Sequence, residues 1–262
     1  MQDTSVKVTL LGTGTSGGVP SLGCHCPVCE SKNPKDKRLR SVCLLETSTT
    51  RILIDCGPDI RQQLIPLPFQ PIDAILLTHV HYDHVGGLDD LRPFCTFGDI
   101  NIYADHHTTS TLRQTMPYCF EEHLYPGVPR IALHDIEAHQ QLQIGDISIM
   151  PITVMHDKLP ILGYRFGKFA YITDMKNIGD SELEYLSDLD ILVVNALRFK
   201  KEHHSHLLVE DAVAFAKKIG VKHTYLTHCS HGIGLYEDAP KNLPDDVELA
   251  YDGLTFTVSV SF

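Results

Sequence analysis

Short apolar runs closed by polar or turn-forming residues set the pattern of this chain. VKVTLLG, VCLLET, RILIDCG, AILLTH, ISIMPITVM, FAYITD, ILVVNAL and HTYLTH are rich in Val, Ile, Thr or aromatic residues. Gly, Asp, His or Asn ends them, so each reads as a strand. SELEYLSD and LVEDAVAFAKKIG instead carry apolar residues at three- and four-residue spacing, which predicts helices, and the second ends on a glycine suited to a C-cap. Strands alternate first with strands and later with helices, a pattern of mixed sheets covered by helices. The expected fold class is therefore α+β, two facing sheets with helices outside. In the closing stretch VELAYDGLTFTVSV two strand patterns flank Asp252-Gly253, a dipeptide that accepts positive φ, so a tight hairpin is expected there.

Length and composition narrow this picture. The 262 residues, 43% of them hydrophobic, can fill one large core, and no Ser/Gly linker divides the chain, so a single domain over residues 1–262 is expected. There is no run of about 18 apolar residues, and MQDTSVKVTL lacks the features of a secretory signal. A cytoplasmic protein without a membrane partner is the expectation. A formal charge of −11 argues against a nucleic-acid backbone as main partner, because such binders usually present a basic face. The eight cysteines do not read as a disulfide framework, and three crowd together at Cys24, Cys26 and Cys29.

The chemistry concentrates in AILLTHVHYDHVGGLDDL, where an apolar strand runs into His79, His81, Asp83 and His84. Imidazole and carboxylate suit a divalent transition metal, and the spacing lets His79 and His81 serve one ion while Asp83 and His84 serve a second. Three distant residues also end strand-like runs: His156 after IMPITVM, Asp174 after FAYIT and His228 after TYLT. Ligands at strand ends are held by rigid backbone, within the tolerance that metal geometry demands.

The series His79-X-His81-X-Asp83-His84, His156, Asp174 and His228 resembles that of the metallo-β-lactamase superfamily. The likeness includes Asp55 in LIDCG, which resembles the family's early acidic position beside the site. It implies a four-layer αββα sandwich, one metal on His79, His81 and His156, another on Asp83, His84 and His228, and Asp174 bridging. Asp83 and the bridging Asp174 set the chain apart from the β-lactamases proper, in which a cysteine takes the bridge.

Cys24-X-Cys26-X2-Cys29 places three thiolates close enough to fill three positions of a tetrahedral structural zinc. His231 is the best fourth ligand, three residues beyond His228 in THCSH, with His25 and Cys229 as alternatives. The structural-zinc insertion falls near residues 23–40. Together with GTG near the start, GVP before the cysteines and THCSH near the end, this pattern resembles the PhnP-like phosphodiesterases that accompany carbon–phosphorus lyase. In that subfamily a histidine before the last helix reaches the active site, and alignment on a helix start near Leu207 makes His206 the match. His203 and His204 read as solvated loop residues.

The resemblance implies a phosphodiesterase whose nucleophile is a hydroxide held between two divalent ions, manganese or zinc, with a separate structural zinc. Asp83 could also orient that nucleophile, and His206 could protonate the leaving alkoxide or oppose phosphoryl charge. The expected substrate is a small, cyclic phosphodiester; Ser16, Arg198 and Asp157 are candidate contacts, and a homodimer is compatible with the sequence. Rival readings are a transfer-RNA-processing endonuclease, a thioester hydrolase, and a non-catalytic carrier similar to pyrroloquinoline-quinone biosynthesis proteins. No basic Gly/Pro-rich arm supports the first, and the intact ligand series disfavours the last.

Overall fold

The computed structural model of the chain describes residues 5–121 and 123–260. Strands β1 (Ser5–Gly12), β2 (Val42–Glu46), β3 (Arg51–Ile54), β4 (Ala74–Leu76), β5 (Ile100–Ala104) and β6 (Ile131–Asp135) build most of one sheet. A second sheet holds β7 (Leu142–Ile144), β8 (Ile147–His156), β9 (Leu159–Phe166), β10 (Phe169–Ile172), β11 (Ile191–Asn195), β12 (His223–Thr227) and β13 (Val247–Leu249). The last strand, β14 (Leu254–Ser259), returns to the first sheet beside β1. The orders are β14-β1-β2-β3-β4-β5-β6 and β13-β12-β11-β10-β9-β8-β7.

Both sheets are mixed in the same way. Antiparallel pairs run from β14 to β3 and from β7 to β10, and parallel pairs run from β3 to β6 and from β10 to β13. Strands buried on both faces explain the near-continuous apolar runs in the sequence. Ile52 and Ile54 of β3 meet Tyr164, Phe169 and Tyr171 between the sheets, while Leu53 turns outward to Ile60, Leu88 and Leu91. On the far side Ala170, Ile172, Leu192 and Val194 pack on Ala212, Phe215 and Ala216. The result is the four-layer αββα sandwich.

Among the described residues, five short α-helices cover the faces: α1 (Pro27–Glu30), α2 (Ile60–Leu64), α3 (Tyr82–Val85), α4 (His106–Thr115) and α5 (Val209–Ile219). The expected glycine stop of α5 is Gly220, left-handed at φ 70°. SELEYLSD forms a 3-10 stretch over Asp180–Leu186 rather than an α-helix. The hairpin expected at Asp252-Gly253 is a crossover instead. Its first arm completes the parallel edge beside β12, its second pairs antiparallel with β1, and Gly253 supplies the positive φ of 89° where the chain changes sheets. The local turn preference is met at Gly253, but the two arms pair with strands of different sheets. No described helix is long and apolar enough to cross a membrane.

Candidate metal centre

The candidate site residues stand at or just beyond strand ends. Asp55 follows β3, His156 ends β8, Asp174 follows Thr173 beyond β10, and His228 follows β12. Just ahead of His79 the two sheets are tied together: the Tyr164 hydroxyl donates to the Leu77 carbonyl at 2.6 Å and the Leu162 amide to the Thr78 carbonyl at 2.9 Å. The motif loop is seated against the loop after β3. A Cβ on Gly57 would lie 2.1 Å from the Asp83 carbonyl oxygen, and one on Gly87 would lie 2.1 Å from the Gly57 carbonyl oxygen. Only glycine permits this approach of two backbones.

The structure brings together all seven residues of the expected dinuclear set. His79, His81 and His156 form one group of ligand-type atoms and Asp83, His84, Asp174 and His228 another, each with its atoms within 4.8 Å of one another. Asp174 faces both. Its Oδ1 lies 3.4 Å from His84 Nε2 and 3.2 Å from His228 Nε2, while Oδ2 lies 4.0 Å from His79 Nε2. His79 Nε2 and His81 Nδ1 are 3.0 Å apart. Two nitrogens each about 2.1 Å from one ion, at a right angle, would be about 3.0 Å apart.

Surrounding groups hold the rings in ligand tautomers. Asp55 Oδ2 lies 2.7 Å from His84 Nδ1 and Oδ1 accepts the Thr78 amide at 2.8 Å, so His84 donates from Nδ1 and Nε2 is left to face the cluster. That Nε2 is buried with no hydrogen-bond partner. An orphaned ring nitrogen between Asp83 and Asp174 fits a cation. His156 similarly turns Nδ1 to the carbonyls of Asp174 and Ser205, at 2.8 and 3.0 Å.

Charge follows the same logic. Burial opposes a charged His84, but Asp174, Asp55 and Asp83 outweigh it and raise its pKa well above the ordinary histidine value. Burial likewise opposes ionised Asp83 and Asp174, yet the facing histidines hold both carboxyls well below the usual range. The facing carboxylates therefore favour positive charge at His84. His79 moves the other way, its pKa lowered by burial and by the neighbouring rings of His84, His81 and His156.

His206 is placed in the same cluster, two residues ahead of the Leu208 N-cap of α5. Its Nε2 is 3.1 Å from Asp174 Oδ2, and its Nδ1 is 3.0 Å from His203 Nδ1 and 3.1 Å from Ser205 Oγ. Burial lowers its pKa to about 4 despite Asp174, which leaves the ring neutral at pH 7. His203 departs from the expectation of a solvated loop residue: it is half-buried, with its ring centroid 4.8 Å from that of His206. His204 is exposed as expected.

The cysteine cluster gathers around His231. Its Nδ1 lies 3.1, 3.4 and 3.5 Å from the sulfurs of Cys24, Cys26 and Cys29. One imidazole nitrogen can make a single hydrogen bond, so three converging sulfurs fit a tetrahedral ion better than a hydrogen-bond network. Cys26 caps α1 and accepts from the Cys29 amide, and the Ser21 amide donates to Cys29 Sγ at 3.4 Å. Burial works against a Cys26 thiolate, but the Cys29 amide, the His231 ring and the adjacent thiols lower its pKa to about 6. The alternative fourth ligands lie elsewhere. His25 is exposed and pairs with Glu30 at 3.0 Å, and the Cys229 thiol turns to the carbonyls of Leu226 and Thr227.

Two features escaped the sequence reading. Asn195, fully buried at the end of β11, clamps Met175 by accepting from its amide at 2.7 Å and donating to its carbonyl at 2.9 Å, fixing the chain beside Asp174. Arg40 pairs with both oxygens of Asp59 at 3.0 and 3.1 Å and donates from Nε to the Ser16 carbonyl at 3.2 Å. Of the substrate candidates, Ser16 offers that carbonyl, Arg198 donates to the Lys201 carbonyl at 2.9 Å, and Asp157 is exposed at positive φ.

Fold and site together define a class, and the comparisons agree with it: residues 50–229 match the family described as "Beta-lactamase superfamily domain", so the chain belongs to the metallo-β-lactamase superfamily. Within it, the chain is PhnP-like. A solved diphosphatase from the PhnP family is 36% identical, with a TM-score of 0.90 over 98% of this chain and 99% of that one. Zinc-bound PqqB from Methylobacterium extorquens shares the fold at 19% identity, with a TM-score of 0.78 over 95% and 99% of the two chains. Among curated proteins, an octanoyltransferase of Porphyromonas gingivalis is 42% identical over 250 residues, 95% of this chain but 51% of that protein. The chain thus spans about half the length of that relative.

Proposed function

We propose that the chain is a dinuclear-metal phosphodiesterase acting on a small phosphodiester or diphosphate. The observation that carries the dinuclear reading is Asp174, with one oxygen facing His84 and His228 and the other facing His79 and His206. Likeness to a PhnP-family diphosphatase over nearly the whole of both chains supports a phosphoryl substrate.

Two divalent ions, manganese or zinc, would sit on His79, His81 and His156 and on Asp83, His84 and His228, with Asp174 between them; they would supply an activated water and Lewis-acid polarisation of the phosphoryl group. The protein's own residues do the rest. Asp55 and the carbonyls of Asp174 and Ser205 keep His84 and His156 in the tautomers that present Nε2. Asp83, buried and held ionised, is placed to orient the attacking water. His206, neutral and hydrogen-bonded through Nδ1, holds its Nε2 proton beside Asp174 Oδ2, from where a turn of the ring can bring it to the departing oxygen or the equatorial oxygens. The cysteine cluster with His231 would hold a structural zinc away from this chemistry.

A purified, manganese-loaded enzyme should hydrolyse bis-p-nitrophenyl phosphate, a 2′,3′-cyclic nucleotide or a dinucleoside diphosphate. Thioester hydrolysis is the second reading, because a relative matching 95% of the chain carries the name octanoyltransferase. Turnover of an octanoyl thioester without turnover of any phosphoryl substrate would replace the first reading with the second.

A further inference from the structure

A cavity of about 620 Å³ opens on the helical side of the first sheet, between α2 and the 3-10 stretch Leu88–Thr96. None of the seven clustered ligands lines it. Its wall includes Ile60, Leu64, Leu67, Leu91 and Phe94. Ile65 and Phe69 also line it while remaining 65% and 59% exposed, and the Phe69 ring lies 4.9 Å from Phe94 and 5.0 Å from Phe97. Leaving these aliphatic and aromatic groups to water is unfavourable.

The polar lining is uneven. Arg51, Arg61 and Arg92 line it beside Asp89 and Asp90, and Glu46 stands behind Arg51 outside the lining. Arg92 is taken by Asp89, Nη2 to Oδ2 at 2.5 Å. Among the described residues no ion pair engages Arg61. Arg51 is only 4% exposed. Its Nη1 donates to the Pro68 and Gln70 carbonyls at 3.2 and 3.4 Å, and its Nε lies 3.1 Å from Glu46. Its Nη2 is buried without a hydrogen-bond partner. A guanidinium left partly unsatisfied in an apolar wall is costly, and an anionic acceptor would complete it.

We infer that this cavity binds a single-chain amphiphile with an anionic head, its aliphatic tail along Ile60, Leu64 and Phe94 and its carboxylate or phosphate toward Arg51 and Arg61. The volume falls within the usual range for small-molecule pockets, about 300 to 1,000 Å³. The unpaired Arg61 and the unfilled Nη2 of Arg51 set the sign of the head, and the apolar wall sets the tail.

Calorimetric titration of the metal-loaded protein with decanoate, decyl phosphate and decyltrimethylammonium tests this. At least one anionic ligand should bind one to one and at least tenfold more tightly than the cationic one, and decanoate against decyl phosphate tells which head is preferred. Leu64→Trp, which fills the cavity, should weaken that binding at least tenfold. Arg51→Met should erase the preference for the anion, and if that variant does not fold, Arg61→Ala should reduce the preference several-fold. Equal binding of anion and cation overturns the inference. So does anion binding that survives Leu64→Trp, since the carboxylate would then be on the active-site metals. A concentration-dependent dimer through this face with no amphiphile binding also overturns it, as the surface would be a self-interface. Phosphodiesterase turnover is read separately, so failure of the catalytic proposal leaves this outcome distinct.

Discussion

Replacing Asp55 by Asn isolates the control of one ligand tautomer. Asp55 Oδ1 accepts the Thr78 amide at 2.8 Å and its hydroxyl at 3.0 Å, while Oδ2 faces His84 Nδ1 at 2.7 Å. An asparagine carbonyl can keep the Thr78 bonds, but its NH2 then points at His84 Nδ1. The ring must accept there, which moves its hydrogen to Nε2 and removes the lone pair proposed to bind metal. Flipping the amide only trades this for a donor facing the Thr78 amide. The backbone gives no competing explanation, because Asp55 sits at φ 66°, a region asparagine tolerates. Loss of such a supporting partner typically costs 10- to 100-fold in metal affinity, about 1.4 to 2.8 kcal/mol. Chelator competition on the wild type and Asp55→Asn, with circular dichroism confirming the fold, measures it. A folded variant whose affinity stays within about twofold of wild type would refute tautomer control by Asp55.

Three further outcomes follow from the same geometry. His206→Ala should lower turnover by about 10² to 10³ with metal content unchanged, and equal turnover would make His206 structural. Metal analysis should find about three ions per chain, falling to about two in Cys26→Ser while phosphodiesterase activity of the remaining folded protein persists; a loss of all metal would contradict two separate sites. Burial pushes the Asp252 carboxyl up to about 6 against the Leu39 amide, the Thr13 hydroxyl and Arg38. The folded state then holds a proton that the unfolded state has released between about pH 4 and 6, so this group's contribution to stability falls as pH rises through that window, by at most about 3 kcal/mol. Carboxyl-carbon NMR should give a midpoint near 6, and titration below 5 would remove the effect.

Most of the metal centre was legible because its residues carry their chemistry in their side-chain types and stand at the ends of apolar runs. The four ligand-type residues between His79 and His84 announce themselves by density, and His156, Asp174 and His228 by ending strand patterns. His231 was reached through its spacing from His228. What was not legible depends on pairing between distant segments. The arms at Asp252-Gly253 look like a hairpin locally, and only their separate partners, β12 and β1, reveal the crossover. Asn195 ends ILVVN as an ordinary strand-terminal residue, and its clamp on Met175 requires parallel β10 and β11 to lie side by side. His203 looked like loop because a run of histidines before a helix gives no depth signal.

The backbone explains how these strand ends reach the site. Asp55, Asp174 and His228 all adopt positive φ, at 66°, 55° and 53°, although none is glycine. Continuing in extended conformation would send successive side chains to alternate faces of the sheet, into one core or the other. A single left-handed residue breaks that alternation and turns the side chain across the strand ends, at a cost of roughly 1 to 2 kcal/mol each. The cost is met locally: Thr78 and His84 hold Asp55, the Asn195 clamp and the Thr173 hydroxyl hold Asp174, and the Thr13 carbonyl holds the Cys229 amide just after His228. Three of the seven described non-glycine residues at positive φ thus stand at the cluster, each following a different strand. A site prepared this way keeps its anionic and imidazole groups converged.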